Sequence, residues 1–546
     1  MHELNVVTSS SSLQTAKERN WWKRAVIYEI AVPSFLDSNG DGRGDLAGLS
    51  RKVDYLKSLG IDAVWLTPIY ASPMKDFGYD IADFCTIDPS FGSMADFLQL
   101  LHALHDEGIR LILDFVPNHT SDRHPWFADS RKSRTGEKAD WYLWADAAAN
   151  GGPPNNWLSR FGGSAWSWDE TREQFYYHSF LASQPDLNWR NTDVRSAMCD
   201  VMRFWLDRGV DGLRVDASAV LIKDALLRDN PPNPKADANM PPPQRYTPVF
   251  TDDRPEDMTC IEDLRKVVDE YEGRFVCGEV QGKTDRIGHF YGSEATPRFH
   301  LPLNFALLDS EWDALSLQAT IDAYLNAIPA DGWPDWVVGG HDKPRVASKI
   351  GQTQARILSM LLLTIRGTPI LFAGDEIGAE RVPIPKERVQ DPFEKRLSGF
   401  GLGRDPERSP MRWDDSEHGG FTTGRPWLPL DGERTRSVDG QMKEPRSLWH
   451  LYRQLIALRK AERCLTDGEY LPSRARNDVL CYGRRWSGDH CLIGLNITGE
   501  PRRWDWRGRG TLLLSTHLDR KQEMVDGPVQ LRADEGWIVK LESASK

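Results

Sequence analysis

Cysteine is scarce: seven in 546 residues, at Cys85, Cys199, Cys260, Cys277, Cys464, Cys481 and Cys491, an odd count with no Cys-x-x-Cys pair. That excludes a disulfide scaffold or a zinc-ribbon site and reads as the reduced structural thiols of a cytosolic protein. Long apolar runs are missing too. The longest candidate, Ile357 to Ile365, is bounded by Arg356 and Arg366 and is well short of a membrane span. Met1 to Asn20 is polar, with Ser9 to Ser12 and no apolar stretch of signal-peptide type, so a frayed tail and a cytoplasmic protein are expected. Positive charge is in deficit, 68 Lys and Arg against 80 Asp and Glu for a net charge of -12. Nucleic acid and anionic membrane both call for a cationic face, so neither is expected as a partner. A small neutral or cationic ligand fits better, bound by a monomer or a homodimer.

What is present is a large soluble core, with 40% apolar and 27% charged residues, and an unusual 21 Trp. Tryptophan faces pack against sugar C–H groups as well as filling cores, and the core is the expected place for most of them. Eight apolar β-like runs are spaced along the chain: Val26 to Val32, Ala63 to Pro68, Arg110 to Val116, Gly212 to Ala217, Phe275 to Val280, Phe299 to Phe305, Trp336 to Gly340 and Pro369 to Ala373. Helical patterns such as Ala95 to Glu107, Thr192 to Arg208 and Ala347 to Thr364 separate them. Eight alternations predict an α/β chain built on a closed parallel (β/α)8 barrel.

The spacing also predicts domain boundaries. Residues 1–20 are the tail, 21–118 and 186–461 the barrel, and 119–185 a small inserted domain after strand three, rich in Trp, Gly, Pro and Asn. Prolines 383 to 410 mark a loop-rich subdomain over about 379–446, placed at the barrel mouth. Short strand patterns at Val479 to Gly483, Cys491 to Asn496, Thr511 to Ser515 and Trp537 to Leu541 predict an antiparallel β-sandwich over 462–546.

Four of the strand ends carry ionisable groups: Asp114 with Asn118-His119, Arg214 with Asp216, Glu279, and His341-Asp342. A barrel gathers such ends at one face. Taken singly, each acid reads as a cap or a surface charge; taken in this order they point to a catalytic centre. In these motifs the chain resembles family 13 of the glycoside hydrolases, the α-amylase family, and within it the α-glucosidase and oligo-1,6-glucosidase branch, over nearly its whole length.

The resemblance implies that Asp216 is a nucleophile, Glu279 a general acid/base with a raised pKa, and Asp342 a stabiliser of an oxocarbenium-like transition state. It implies that Arg214 holds the pKa of Asp216 down, that Tyr79 is a stacking platform, and that Asp80, His119 and His341 hydrogen-bond hydroxyls of a bound glucose. Asp114 and Asn118 become a supporting shell, Phe161 part of an aromatic wall with the nearby Gln184 to Asn188 signature, and Arg404 the main contact of the loop closing the aglycone side. Ala217 after the nucleophile favours α-1,4 linkages. The implied activity is a retaining exo-acting α-glucosidase using maltose-like oligosaccharides or sucrose, with transglucosylation; an oligo-1,6-glucosidase, a sucrose isomerase or glucosyltransferase, and a non-catalytic transporter partner stay open. No organic cofactor is implied. The chain departs from the family at Gly340, where Asn is usual.

Asp37, Asn39, Asp41, Arg43 and Asp45 alternate through a Gly-rich segment, as donors do in the first half of an EF-hand loop, though Gly48 stands where that loop has its bidentate acid. The resemblance implies a structural Ca²⁺ or Mg²⁺ here. A metal-free Gly/Asp turn is the alternative.

Overall fold

The structure, a computed structural model, describes residues 19–280, 286–472 and 475–542. The expected tail therefore lies, through residue 18, outside the described residues.

Eight short strands form one parallel sheet: β1 (Ile27–Ile30), β2 (Ala63–Leu66), β3 (Arg110–Phe115), β4 (Gly212–Val215), β5 (Phe275–Glu279), β6 (Leu301–Leu303), β7 (Asp335–Val337) and β8 (Thr368–Phe372). Their spatial order is β6-β5-β4-β3-β2-β1-β8-β7, so neighbours in sequence are neighbours in space. The last gap is bridged where Val337 N–H donates to Asn304 O at 3.4 Å and Asn304 N–H donates to Asp335 Oδ1 at 2.9 Å. The result is the (β/α)8 barrel anticipated from the strand spacing. Both strand faces are covered, which is why these runs are apolar throughout rather than alternating. Inward side chains, among them Ile27, Trp65, Ile112, Phe275, Leu301 and Ile370, fill the barrel, and Trp21 and Trp22 close the end opposite the strand C-termini.

Long helices follow the sequence pattern with small shifts: Met94–Asp106 carries a capping box built by Ser93 and Asp96, and Thr192–Leu206 is capped by Asn191. The stretch expected as one helix over Ala347 to Thr364 is two, Val346–Ile350 and Gln352–Thr364, because Gly351 sits at φ 82° between them.

Between β3 and β4 the chain forms a three-stranded antiparallel sheet from Trp144–Ala145, Gln174–Tyr177 and Trp166–Asp169, with its own small core around Trp157, Trp166 and Tyr177. A buried Lys223–Asp186 ion pair and a Trp189 Nε1–H bond to Pro117 O (2.8 Å) tie this insertion to the barrel rim.

The C-terminal unit is a six-stranded antiparallel sheet, and the second layer of the expected sandwich is only a two-stranded ribbon, Arg502–Trp504 with Val529–Leu531, lying over it around Trp504, Leu512 and Trp537. The C-terminal end of helix Gln352–Thr364 supplies the anchor. Buried Arg484 donates to Thr364 O, and buried Arg459 to Leu363 O (3.0 Å) and Gly367 O (2.5 Å), satisfying carbonyls that the helix end leaves without partners. Among the described residues no helix is long and apolar enough to cross a membrane.

Candidate active site

The C-terminal ends of β3, β4, β5 and β7 open into a cavity of about 670 Å³ whose wall includes Tyr79, His119, Phe161, Asp216, Glu279, Asp342 and Arg404. Remote positions 216, 279 and 342 thus meet at one rim, where a barrel puts its chemistry. Ala217 holds φ 48°, an uncommon value for a residue with a side chain, and so turns the chain sharply just after Asp216.

One buried guanidinium organises three acids. Arg214 Nη1 donates to Asp114 Oδ1 (2.9 Å) and Asp216 Oδ1 (2.7 Å), while Nη2 donates to Glu279 Oε2 (2.8 Å). Arg214 stands behind the acids rather than on the cavity wall, with its charge over the Trp65 ring at 5.1 Å. It does not hold Asp216 down as expected. Burial pushes the Asp216 carboxyl well above the ordinary range, and although Arg214 opposes this, Glu279, Asp114 and Asp342 add to the rise. One cation is shared among three acids, so their titrations depend on one another.

Asp342 is the opposite case. Burial would raise it, but Arg404, His341 and Arg408 outweigh that and hold its carboxyl well below the usual range. Arg408 bonds Asp342 directly, and Arg404 Nη1 approaches Asp342 Oδ1 at 3.3 Å. Its side chain is about one-third exposed (36%), facing the cavity. The Asp216 and Asp342 carboxyl groups are thus pushed in opposite directions by their surroundings.

Asp80, expected to face a bound sugar, does not reach the cavity; Asp76, four residues earlier, does. Asp80 is fully buried and turned into its own loop, accepting from Ser72 Oγ (3.0 Å), Lys75 N (3.0 Å) and Asp76 N (3.1 Å). It supports the loop, and Asp76 takes its place on the cavity wall, held by Arg404 Nη2 (2.9 Å) and Gln184 Nε2 (3.1 Å). The missed signal is that Asp76 stands three residues before Tyr79, one turn away on a loop whose glycine reverses the chain. Asp76→Asn is expected to lower kcat/KM for maltose about 100-fold with little change in melting temperature. Asp80→Asn should act on stability instead. Burial raises Asp80 to about 6, against about 3.9 for an unfolded Asp. Between these values the folded state keeps a proton that the unfolded chain has released, so stability falls as pH rises through that window. The substitution should flatten the decline; melting curves with an unchanged slope would contradict the burial argument.

The remaining expected residues fall as follows. Tyr79 lines the cavity and donates to Asp114 Oδ2 (2.8 Å). His119 lines it too, and burial lowers its pKa, which keeps it neutral beside Gln184 and Asn118. Asn118 accepts from Lys223 Nζ at 2.8 Å, a supporting contact behind the wall. Phe161 packs on Phe393 at 4.3 Å, and Arg404 lies over both rings. His341 sits one layer back, between Glu29, Tyr79 and Asp342. Tryptophan is absent from the described cavity lining, and the aromatic wall is Phe and Tyr; most of the indoles are core.

In the 37–45 loop, Asp37 accepts from the N–H groups of Asn39, Gly40 and Gly42, Asn39 from Asp41 N, Asp41 from Arg43 N, and Asp45 from Ser38 N and Gly48 N. Gly42, at φ 93°, lies so close to the neighbouring segment that a Cβ would come within 2.1 Å of Arg425 O. The Arg43 guanidinium lies over Trp427 at 5.2 Å, so its carbonyl is the oxygen donor it can offer. The oxygen-only donor set suits a hard cation by type. Among the described residues the Asp37, Asp41 and Asp45 carboxylates do not close to within 4.8 Å of one another.

A closed barrel that gathers three acids, an arginine bridge and an aromatic wall at its C-terminal rim is the architecture of a glycoside hydrolase. The chain belongs to the α-amylase family: residues 29–468 match that family's catalytic domain. A probable α-glucosidase of Rhizobium meliloti (strain 1021) is 39% identical, over 90% of this chain and 92% of its own length. An oligo-1,6-glucosidase of Parageobacillus thermoglucosidasius is 38% identical, over 96% and 99%. A crystal structure of an α-glucosyl transfer enzyme superposes with a TM-score of 0.89 at 37% identity, over 96% of this chain and 99% of that one.

Proposed function

We propose that this glycoside hydrolase is a retaining, exo-acting α-glucosidase that releases terminal glucose from maltose-like oligosaccharides or sucrose. The observation that carries the reading is the shared guanidinium: Asp216 accepts from Nη1 and Glu279 from Nη2 of Arg214, a short reach that suits the spacing of about 5–5.5 Å used by retaining pairs. Asp216 attacks the anomeric carbon as a carboxylate. Glu279 acts as the acid that gives a proton to the departing oxygen, then as the base that takes one from the incoming water. Asp342, kept ionised by two arginines, balances the positive charge that develops on the ring.

Exo action is supported by the Arg404–Asp76 and Arg404–Asp391 pairs, which join separate loops across one end of the cavity and make a pocket where an open cleft would pass a chain. Tyr79, His119, Phe161 and Asp76 form the wall around the terminal sugar, with His341 and Arg214 behind it. Maltose, isomaltose, sucrose and trehalose run at matched concentration test the substrate class: glucose release from maltose or sucrose is expected, and no release from either would overturn it. Transfer to a second sugar is the companion reading, favoured by the likeness to an α-glucosyl transfer enzyme.

The 37–45 loop would hold Ca²⁺ or Mg²⁺ through Asp37, Asn39, Asp41, Asp45 and the Arg43 carbonyl, supplying stability rather than chemistry. Calcium at about 100 times its Kd should add about 2.7 kcal/mol, read as a rise in melting temperature of a few degrees that Asp41→Ala abolishes while maltose turnover stays unchanged. A melting temperature indifferent to calcium, magnesium and chelator would support the metal-free turn.

A further inference from the structure

Gly340, the departure from the family pattern, makes room for a buried acid. A Cβ at Gly340 would lie 3.1 Å from Glu29 Oε2. Glu29, near the C-terminal end of β1, is 1% exposed. Its Oε1 accepts from the main-chain N–H of His341 (3.2 Å) and faces His341 Nδ1 at 2.5 Å. On the other side of the ring, Nε2 lies 2.7 Å from the Tyr79 hydroxyl, and that hydroxyl donates to Asp114 Oδ2 at 2.8 Å.

Counting protons along this row decides the state of the ring. Tyr79 has one hydroxyl proton, and burial keeps the phenol protonated. If that proton goes to Asp114, the short contact to Nε2 needs an N–H on the imidazole. The contact to the Glu29 carboxylate needs another on Nδ1. Both ring nitrogens then carry protons, and the cation lies between two acids.

The competing arrangement puts a proton on Asp114 and leaves Nε2 bare. Burial raises the Asp114 carboxyl and favours it, while Arg214 at 2.9 Å and a charged His341 oppose it. The other charged neighbours of the ring are Asp342 (3.5 Å from Nε2), itself held by Arg404 and Arg408, and Asp375, which faces Gly339 and pairs with Arg345. Arg408 also donates to the His341 carbonyl at 2.8 Å, and Trp65 meets the ring edge-on.

We propose that Glu29 is a positioning residue: as counter-ion it keeps His341 protonated on both ring nitrogens, and through that ring it orients Tyr79 and supports the charge of Asp342 beside the sugar. A side chain at residue 340 would crowd its carboxylate. Glu29 touches neither substrate nor reacting atoms.

The direct test is ¹⁵N NMR of protein labelled at its 13 histidines, with His341→Gln identifying the signal. Two protonated nitrogens are expected for His341 at about pH 7.5 in the unaltered enzyme, and one bare nitrogen in Glu29→Gln. A bare nitrogen in the unaltered enzyme overturns the proposal. This readout needs no turnover, so it stands apart from the α-glucosidase reading; the kinetic arm rests on that reading. There, Glu29→Gln should move the alkaline limb of kcat/KM down by about one pH unit, with Glu29→Asp close to the unaltered enzyme. A loss equal at every pH, in a variant that melts normally, would reduce Glu29 to a space-filling role and overturn the proposal.

Discussion

Asp216→Asn lowers kcat for maltose by at least about 10⁴-fold while the melting temperature holds or rises. The activity loss follows from removing the group proposed to form the covalent bond; replacing a catalytic nucleophile costs about 10⁴ to 10⁶ in kcat elsewhere. The stability outcome follows from the charge count. Arg214 serves Asp114, Asp216 and Glu279 at once, and burial with three acids nearby pushes Asp216 up, which marks its ionised form as strained in the resting site. An amide keeps an oxygen for Arg214 and removes one competing charge. Kinetics of purified protein with a melting curve on the same sample check both halves. A variant within tenfold of the parent would remove Asp216 from the chemistry, and a melting temperature lowered by many degrees would mean that the arginine needs all three acids.

Glu279→Gln gives the second large effect, and its signature is selective. Turnover of maltose should fall by about 10² to 10⁴-fold, the usual contribution of a positioned acid/base. An aryl α-glucoside with a good leaving group needs little proton assistance to depart, so it should still load the enzyme and show a burst of released aglycone. Water then attacks slowly because no base activates it. Azide needs no base, and should restore steady turnover of the aryl glucoside as α-glucosyl azide. Equal losses on both substrates, with no azide rescue, would show that Glu279 is not the proton donor.

How far the sequence led can be seen residue by residue. All eight barrel strands were legible because a strand covered on both faces is apolar throughout and is followed by a helix of ordinary length. Asp216, Glu279 and Asp342 were legible because barrel topology assigns strand ends to one rim, whatever their separation along the chain. Asp76 and Asp80 were not separable, since both sit on one loop beside Tyr79 and only the fold decides which carboxylate turns inward to accept N–H bonds. The direction at Asp216 was misjudged for a related reason: spacing reveals that Arg214 is near, but not that two further acids share it. Glu29 gave no signal, because a lone acid in β1 acquires meaning only once Gly340 is seen to leave space for it. Tryptophan abundance pointed chiefly to the core, where most of the indoles are buried, and the described cavity wall is Phe and Tyr.

The account stands most directly on the stereochemistry of the first turnover. Proton NMR of maltose hydrolysis in D₂O, followed before the liberated glucose mutarotates, distinguishes the two outcomes. Double displacement at Asp216 predicts that the non-reducing glucosyl unit appears first as α-glucose and only later relaxes toward the β anomer. Initial β-glucose would mean a single direct attack by water, and would contradict the pairing of Asp216 and Glu279 around one sugar.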